Sequence, residues 1–307
     1  MSALLVTRNL ARWYGPIVGL VDVSLALEPG VIGLLGPNGA GKSTFLKLVA
    51  GEIRPSRGTI EVRGRDPFAN RAHFAETGFC PQQDALYGEM SGLAFVAFLN
   101  RLSGFSAREA QDRAASALER VGLADVMERR TSGYSRGMRQ RTKIAQAIAH
   151  APRFLVADEP LAGLDPIARR SMVQLLHQLA GEGMSILVSS HILHEIEELT
   201  QNVLLLHRGR VLAQGEVPEI RTLLSRHPRK VEIRARDARV LARAVLDLPG
   251  VQSLRLTPDG TLLGVETFDL EGFLAALPAA AARSRAGIRS LETPDAGLEA
   301  VFDYLVA

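Results

Sequence analysis

One glycine-rich segment has the residue types and the spacing of a loop that binds phosphate groups. It fits G-x-x-x-x-G-K-[ST] without a mismatch, and its residues are Gly36, Pro37, Asn38, Gly39, Ala40, Gly41, Lys42, Ser43 and Thr44. Glycines let the backbone curl so that successive N–H groups point at phosphate oxygens. We expect Lys42 to reach the β- and γ-phosphates of a nucleoside triphosphate, and the Ser43 hydroxyl to bind Mg²⁺. An ordinary glycine-rich turn is the competing interpretation.

The segments on either side of this loop decide between the two interpretations. Val31–Leu35 is an apolar run of the length of a buried strand, and Phe45–Ala50 is typical of a helix that ends at Gly51. A strand, a glycine loop and a helix in this order are the context in which the motif is credible. The N-terminus of such a helix also carries a partial positive charge that favours phosphate. The sequence therefore predicts a triphosphate site.

A pair of carboxylates follows a second apolar run. Phe154–Ala157 predicts a buried strand, and Asp158 and Glu159 come directly after it. The carboxyl ends of parallel strands lie beside the phosphate loop in doubly wound sheets. We expect Asp158 to hold Mg²⁺, directly or through water, and Glu159 to act as general base on the attacking water. The alternative, an acid pair that starts a helix before Pro160, is disfavoured because Lys42 lies in the same chain.

Two further side chains are candidates for contact with the nucleotide. His191 follows the predicted strand Ser185–Ser190, and this position favours contact with the γ-phosphate. A lone histidine is usually structural or solvated, and that role is the alternative. Tyr14 is predicted in the loop between the first two strands, where an aromatic ring stacks on adenine or packs against the protein. Trp13 competes with Tyr14 for the stacking role.

Composition sets limits on the class of protein. The chain has 307 residues, enough for one large domain and a smaller one, and a formal net charge of only +3, so a nucleic-acid partner is not predicted. The single cysteine, Cys80, excludes an internal disulfide framework and suits a reducing cytosol. We find no pattern of a signal peptide and no apolar run long enough to span a bilayer. Any action at a membrane is therefore expected to depend on a partner.

The pattern of apolar residues divides the chain into regions. We predict an ATP-binding domain over 1–217, a helical insertion at about 84–150, a linker over 218–229 and a C-terminal α+β domain over 230–307. In the insertion, Ser106 and Glu109 have the spacing of a capping box. The tail has the order β-α-β-β-α-β, which is typical of a small ferredoxin-like domain. Its predicted elements are Val231–Arg234, Ala238–Leu248, Val251–Leu256, Leu262–Val265, Asp269–Leu277 and Ile288–Leu291, with a closing helix at Leu298–Leu305.

Together, these residues resemble the nucleotide-binding subunit of an ATP-binding cassette (ABC) transporter, over roughly Ala3–Gly215. The segment Tyr134–Met138 resembles the family's signature loop, which other phosphate-loop ATPases lack. Four more positions fit the family in order: Tyr14 its adenine-stacking aromatic, Gln82 its glutamine loop, Gly163–Asp165 its D-loop and His191 its switch histidine. The resemblance implies an α/β fold, with a P-loop NTPase core, an antiparallel β subdomain and a helical insertion, plus the small α+β domain.

The resemblance also implies a mechanism of ATP hydrolysis. Two subunits, here a homodimer, pair head to tail and trap two ATP molecules, and hydrolysis lets them part. Ser135 and the Gly137 amide of one subunit would cap the γ-phosphate held by Gly36–Thr44 of the other. The implied roles are catalysis by Lys42, Gln82, Glu159 and His191, metal binding by Ser43, Gln82 and Asp158, and nucleotide binding by Tyr14, Ser135, Gly137, Asp165 and the phosphate loop.

One part of the signature departs from the family's commonest pattern. The family's commonest signature has Gly-Gly-Gln at these three positions, whereas this chain has Arg136, Gly137 and Met138. Only the glycine at position 137 is retained. The glutamine is lost, so a contact with the second subunit's ribose is in doubt. Arg136 adds a positive charge that contacts phosphate or a permease, or stays solvated.

The resemblance implies that a separate integral-membrane permease is the partner. Its cytoplasmic helix would dock between the Gln82 loop and the helical insertion, which places this chain at the cytoplasmic face of the cell membrane. The C-terminal tail resembles bacterial export-type subunits that serve drug, lipid or antibiotic efflux. Two alternatives are an ABC-type ATPase that acts on ribosomes or nucleic acid without a permease, and a nucleotide-binding regulator without turnover.

Overall fold

The computed structural model describes residues 3–83, 86–218 and 228–293, and the chain divides into two compact units, 1–217 and 218–307. The predicted closing helix Leu298–Leu305 and most of the predicted linker 218–229 lie outside the described residues.

The first unit contains nine strands within its described part, in two sheets. They are β1 Leu5–Tyr14, β2 Ile17–Leu27, β3 Val31–Leu35, β4 Arg57–Val62, β5 Thr77–Cys80, β6 Phe154–Ala157, β7 Ser185–Ser190, β8 Asn202–His207 and β9 Arg210–Glu216. The smaller sheet is antiparallel and has the order β2-β1-β4, and the larger has the order β5-β6-β7-β3-β8-β9. All neighbours in the larger sheet are parallel except β9, which runs antiparallel to β8.

Seven α-helices of the same unit are described. They are α1 Lys42–Val49, α2 Arg71–Glu76, α3 Gly92–Leu102, α4 Ala107–Arg120, α5 Arg136–Ile148, α6 Pro166–Gly181 and α7 Leu193–Glu197. The predicted helical insertion corresponds to α3, α4 and α5, which follow one another between β5 and β6. Ser106 and Glu109 form the predicted capping box at the start of α4. The sequence prediction has no counterpart of α2, a six-residue helix that Asn70 caps through the N–H groups of Ala72 and His73.

The larger sheet brings the predicted chemistry to one edge. Strands β6 and β7 are buried along their whole length, as expected for parallel strands covered on both faces. β6 pairs with β7, and β7 pairs with β3, with Leu35 opposite Ser190. The phosphate loop follows β3, Asp158 follows β6 and His191 follows β7. Three segments with predicted functions therefore leave the carboxyl ends of three adjacent strands.

Some predicted boundaries were wrong. Tyr14 is the last residue of β1 rather than a loop residue, because it still pairs with Ile17 across the hairpin. By contrast, the acid pair Asp158–Glu159 starts no helix, as expected, and the next helix, α6, begins at Pro166 with Asp165 as its N-cap.

The second unit is a four-stranded antiparallel sheet with two described helices on one face. Its elements are β10 Arg229–Ala235, α8 Ala238–Val245, β11 Val251–Leu256, β12 Leu262–Thr267, α9 Leu270–Ser284 and β13 Ile288–Glu292. The strand order β11-β12-β10-β13 is that of a ferredoxin-like domain. α9 runs seven residues past its predicted end because Pro278 is followed by four alanines, which favour helix and include the buried Ala280.

Candidate nucleotide site

Two glycines of the phosphate loop are required by close backbone contacts. Gly41 is the N-cap residue of α1 with φ of 103°, in the left-handed region. A Cβ at Gly41 would lie 2.5 Å from the carbonyl oxygen of Gly19, and one at Gly36 would lie 2.5 Å from that of Leu206. Gly39 also has a positive φ, of 81°, but nothing lies within 4 Å of its Cβ position. The loop is therefore folded tightly between β2 and β8, with α1 starting at Lys42.

Lys42 is a buried cation whose contacts all lie in the predicted site. Its Nζ donates to the carbonyl oxygens of Gly36, at 2.7 Å, and Pro37, at 3.3 Å. The same Nζ lies 3.3 Å from Oε1 of Glu159, and both side chains are almost fully buried. A lysine ammonium in such surroundings requires negative partners.

Glu159 is the point at which four segments meet. Its Oε1 contacts Lys42, while its Oε2 accepts from Nε2 of Gln82 at 3.3 Å and lies 3.2 Å from Nδ1 of His191. Gln82 follows β5 and His191 follows β7, so residues from two strand ends and one helix contact a carboxylate at the end of a third strand, β6. The structure thus brings together the four residues to which the sequence assigns catalysis.

The backbone at Glu159 is held in an unusual conformation. Its φ is 48°, in the left-handed region, which costs a non-glycine residue roughly 1–2 kcal/mol. The N–H of Glu159 donates to Oγ of Ser189 at 2.8 Å, and its carbonyl oxygen accepts from the N–H of Ala162 at 3.2 Å. These bonds fix the direction in which the carboxylate leaves the strand end.

Ser189 links the two acids of the pair, and sequence reasoning missed this role. Its Oγ donates to Oδ1 of the buried Asp158 at 2.7 Å while accepting from the N–H of Glu159. Ser189 lies inside β7, where nothing in the sequence separates a structural serine from one that orients a carboxylate. The carboxylate of Asp158, the hydroxyl of Ser43 and the amide oxygen of Gln82 are the kind of oxygen donors that Mg²⁺ takes.

A cavity of about 300 Å³ lies next to this cluster. It is lined by Pro37–Thr44 apart from Ala40, by Gln82 and Glu159, and by Tyr14, Ile17, Val18 and Gly19. Trp13 is not among the lining residues, so the geometry favours Tyr14 over Trp13 for base stacking. The guanidinium of Arg12 lies 4.8 Å from the centre of the Tyr14 ring. No role was predicted from the sequence for Arg12, Ile17 or Val18.

The other predicted nucleotide contacts lie elsewhere in the unit. Ser135 caps α5, accepting from the N–H of Met138 at 3.2 Å, and Asp165 caps α6, accepting from the N–H groups of Ile167 and Ala168. A Cβ at Gly137 would lie 3.4 Å from that of Ala168, so the two helices begin side by side. None of Ser135, Gly137 and Asp165 lines the cavity.

Arg136 lies against the D-loop of its own chain. Its guanidinium is so close to Gly163 that a Cβ there would be 2.2 Å from Cζ. Gly163 has φ of 65°, and the absence of a side chain leaves the space that the guanidinium fills. The side chain of Arg136 makes no hydrogen bond or ion pair with any described residue, so this contact is one of packing.

Comparison with known proteins decides the family. The family model described as "ABC transporter" matches residues 20–162. The uncharacterized ABC transporter ATP-binding protein YxlF of Bacillus subtilis is 39% identical over 219 residues, which are 71% of this chain and 72% of YxlF. The chain belongs to the ABC transporter ATP-binding proteins.

Two further members extend the comparison. The daunorubicin/doxorubicin resistance ATP-binding protein DrrA of Streptomyces peucetius is 30% identical over 301 residues, which are 96% of this chain and 90% of DrrA. The dimeric structure of a bacterial ABC transporter cassette has a TM-score of 0.63 and 24% identity, and covers 69% of this chain and 98% of its own. The sequence prediction of an ABC-type ATPase with this fold is confirmed. This ABC subunit binds and hydrolyses ATP.

Gly41 and Gly39, two of the three glycines in the phosphate loop, form a matched pair for a test of ATP binding. Gly41→Ala should weaken ATP binding by at least tenfold, because the new Cβ meets the carbonyl of Gly19 in a backbone that disfavours it. Gly39→Ala has a similar positive φ but free space, so its loss of affinity should be only a few-fold. Isothermal titration of both variants with ATP measures the difference. Equal affinities in the two variants would contradict the close contact at Gly41.

Proposed function

We propose that this chain is the ATPase subunit of an exporter, and that it drives a separate membrane permease by ATP-dependent pairing of two copies. The convergence of Lys42, Gln82 and His191 on the buried carboxylate of Glu159 is the observation that carries this proposal. Similarity to DrrA over nearly the whole chain, including the second unit, supports the export direction. None of the helices in the described part of the chain combines the length and apolarity needed to cross a bilayer.

Each candidate residue at or near the cavity has its own role in hydrolysis. Glu159 accepts a proton from the water that attacks the γ-phosphorus, and the bond to the β–γ bridging oxygen breaks to give ADP and phosphate. Lys42 and the N–H groups of the phosphate loop hold the phosphates, and His191 orients the γ-phosphate. Tyr14 stacks on the adenine. Ser43, Gln82 and Asp158 would hold Mg²⁺, which neutralises charge on the β- and γ-phosphates.

The second set of predicted contacts is explained by a second copy of the chain. Ser135 and Gly137 at the start of α5, and Asp165 at the start of α6, lie outside the cavity that Lys42 and Glu159 form. A helix N-terminus binds anions well. In a head-to-tail homodimer these residues complete the nucleotide site of the other copy. The dimeric cassette of similar fold is a precedent for that arrangement.

A separate cavity supports the docking of a permease. It has a volume of about 430 Å³ and lies between β5 and the helices α3 and α5, with Phe74, Phe79, Tyr87, Phe95 and Leu99 among its lining residues. Burial lowers the pKa of His150 in this cavity, which favours the neutral ring. The cavity is therefore suited to an apolar helix of a membrane protein at the cytoplasmic face of the membrane.

Lys143 connects this docking cavity with the nucleotide site. It lines the cavity from α5, and its Nζ donates to the carbonyl oxygens of Pro81 and Gln82, at 3.1 and 2.9 Å. The side chain of Gln82 in turn contacts Glu159. A permease helix in the cavity would thus rest against residues that fix the Gln82 backbone.

The role of Glu159 gives the first test of the proposal. Glu159→Gln keeps the side-chain shape but removes the proton acceptor, so kcat should fall at least 100-fold. ATP should still bind, and gel filtration with ATP and Mg²⁺ should show a persistent dimer. Phosphate release and elution volume are the two measurements. Unchanged turnover would remove Glu159 from its assigned role, and an ATP-loaded monomer would contradict the pairing.

Two lysines of α1 provide a matched pair for ATP binding. Lys42→Ala should abolish measurable ATP affinity because the buried cation lies in the phosphate loop. Lys47→Ala removes an exposed lysine whose one ion pair within the described ranges is with Glu52, at 3.5 Å, and should leave affinity unchanged. Equilibrium binding of a fluorescent ATP analogue compares them. Wild-type affinity in Lys42→Ala would contradict the phosphate-loop assignment.

Tyr87 provides a test of permease docking. Its ring is exposed at the docking cavity and contacts the rings of Phe95 and Phe98 edge to face. Tyr87→Ser should reduce co-purification with a co-expressed membrane protein from the adjacent reading frame, with ATP affinity unchanged. Leu246→Ser, which changes an exposed leucine of the second unit, is the control. Equal recovery of the membrane protein with both variants would place docking elsewhere.

A further inference from the structure

Glu195 is a buried carboxylate to which the proposed mechanism assigns no role. It lies on the five-residue helix α7, and its side chain is only 3% exposed. Acidic side chains are rarely buried to this degree unless they are paired. Glu195 does not line the nucleotide cavity, but its helix begins two residues after His191. Its contacts show what the buried charge holds in place.

The first contact of Glu195 fixes the backbone on both sides of His191. Oε2 of Glu195 accepts a short hydrogen bond of 2.6 Å from Oγ of Ser190, the residue before His191. The same Oγ accepts from the N–H of Ile192, the residue after His191, at 3.0 Å. Glu195 therefore fixes the hydroxyl that ties together the backbone on both sides of His191.

The second contact anchors the carboxylate to another helix. Oε1 of Glu195 lies 3.5 Å from Nη2 of Arg169, which is on α6, four residues after the N-cap Asp165. Arg169 is partly exposed, whereas Glu195 is buried. The ion pair provides the opposite charge that the buried carboxylate needs, and it connects α6 with the loop that carries His191.

His191 depends on its backbone for orientation. Its ring is 40% exposed, and in the described part of the chain its one side-chain polar contact is with Oε2 of Glu159. A ring with a single contact can rotate away when its backbone shifts. The two hydrogen bonds of the Ser190 hydroxyl, one to Glu195 and one from the N–H of Ile192, limit that shift. We call this pair of bonds the bracket.

We propose that Glu195, charge-paired with Arg169, is a positioning residue that aims the ring of His191 at Glu159 and at the γ-phosphate. The inference rests on the proposed function through the role of His191. Glu195 touches neither nucleotide nor water in this scheme, and it acts only through Ser190 and the loop. Its removal should therefore affect turnover more than ATP binding.

Two variants and one control test the inference by kinetics. Glu195→Gln retains an oxygen for Ser190 but loses the charge that pairs with Arg169, and Ser190→Ala removes the bracket itself. Each should lower kcat about tenfold with KM for ATP changed less than twofold. Glu198→Gln, which breaks the exposed pair of Glu198 with His194 near the same helix, should match the wild type. In a His191→Ala background, Glu195→Gln should cause no further loss, because residues that act through one another are not additive.

A spectroscopic readout makes the test independent of turnover. With ¹⁵N-labelled histidine, the ring signals of His191 are assigned by their loss in His191→Gln. They should shift or broaden in Glu195→Gln and Ser190→Ala, and stay unchanged in Glu198→Gln, where the His194 signals move instead. If Glu195→Gln does not fold, Ser190→Ala alone decides.

Two results would overturn the inference. One is an equal fall in kcat from Glu195→Gln with and without His191, and the other is unmoved His191 signals in both variants. Either would leave Glu195 a purely structural residue. Absence of ATP hydrolysis by the wild type with its permease would instead overturn the proposed function, and the ring signals would still report on the bracket.

Discussion

The structure of the nucleotide site depends on one buried carboxylate. Glu159 lies in the low-dielectric interior, where each charged contact is strong and each missing contact costs free energy. Lys42, Gln82 and His191 satisfy it from three different segments, and Ser189 holds its backbone in a conformation that glutamate seldom adopts. The position of this carboxylate, the proposed proton acceptor, is therefore set by several parts of the protein at once, and a change in any of them would displace the same two oxygen atoms.

The parallel sheet is what allows such distant segments to meet. β3, β6 and β7 are adjacent and point the same way, so the residues that follow them emerge at one edge. β6 and β7 are buried along their whole length, and the pairing of β6 with β7 and of β7 with β3 places Ala157 opposite Val188 and Leu35 opposite Ser190. The helical insertion leaves from β5, next to β6, and through Lys143 it holds the backbone of Gln82. The parallel sheet thus determines the distances between the candidate functional side chains that follow its strands, although none of those side chains lies within it.

Sequence reasoning predicted most of this framework because its signals are local. A run such as Phe154–Ala157 is apolar throughout, and the glycine pattern of Gly36–Thr44 can be recognised without knowing which distant residues it contacts. The contacts that hold the site together were not predictable in that way. Ser189 has the sequence of any strand serine, and its importance comes from Asp158 and Glu159, about thirty residues earlier in the chain. Tyr14 was predicted in a loop, but it is in β1 because the turn of the hairpin is only two residues long, Gly15 and Pro16, and Tyr14 still pairs with Ile17.

The departures from the usual signature show the same dependence on distant residues. A glycine is common where this chain has Arg136, and a side chain there needs space. Gly163 of the D-loop provides that space, since any Cβ at Gly163 would collide with the guanidinium. The larger residue in one loop and the missing side chain in the other are thus complementary. α5 and α6, which carry these loops, also begin side by side at Gly137 and Ala168. In the proposed dimer, the signature loop and the D-loop would consequently approach the second nucleotide as one packed surface.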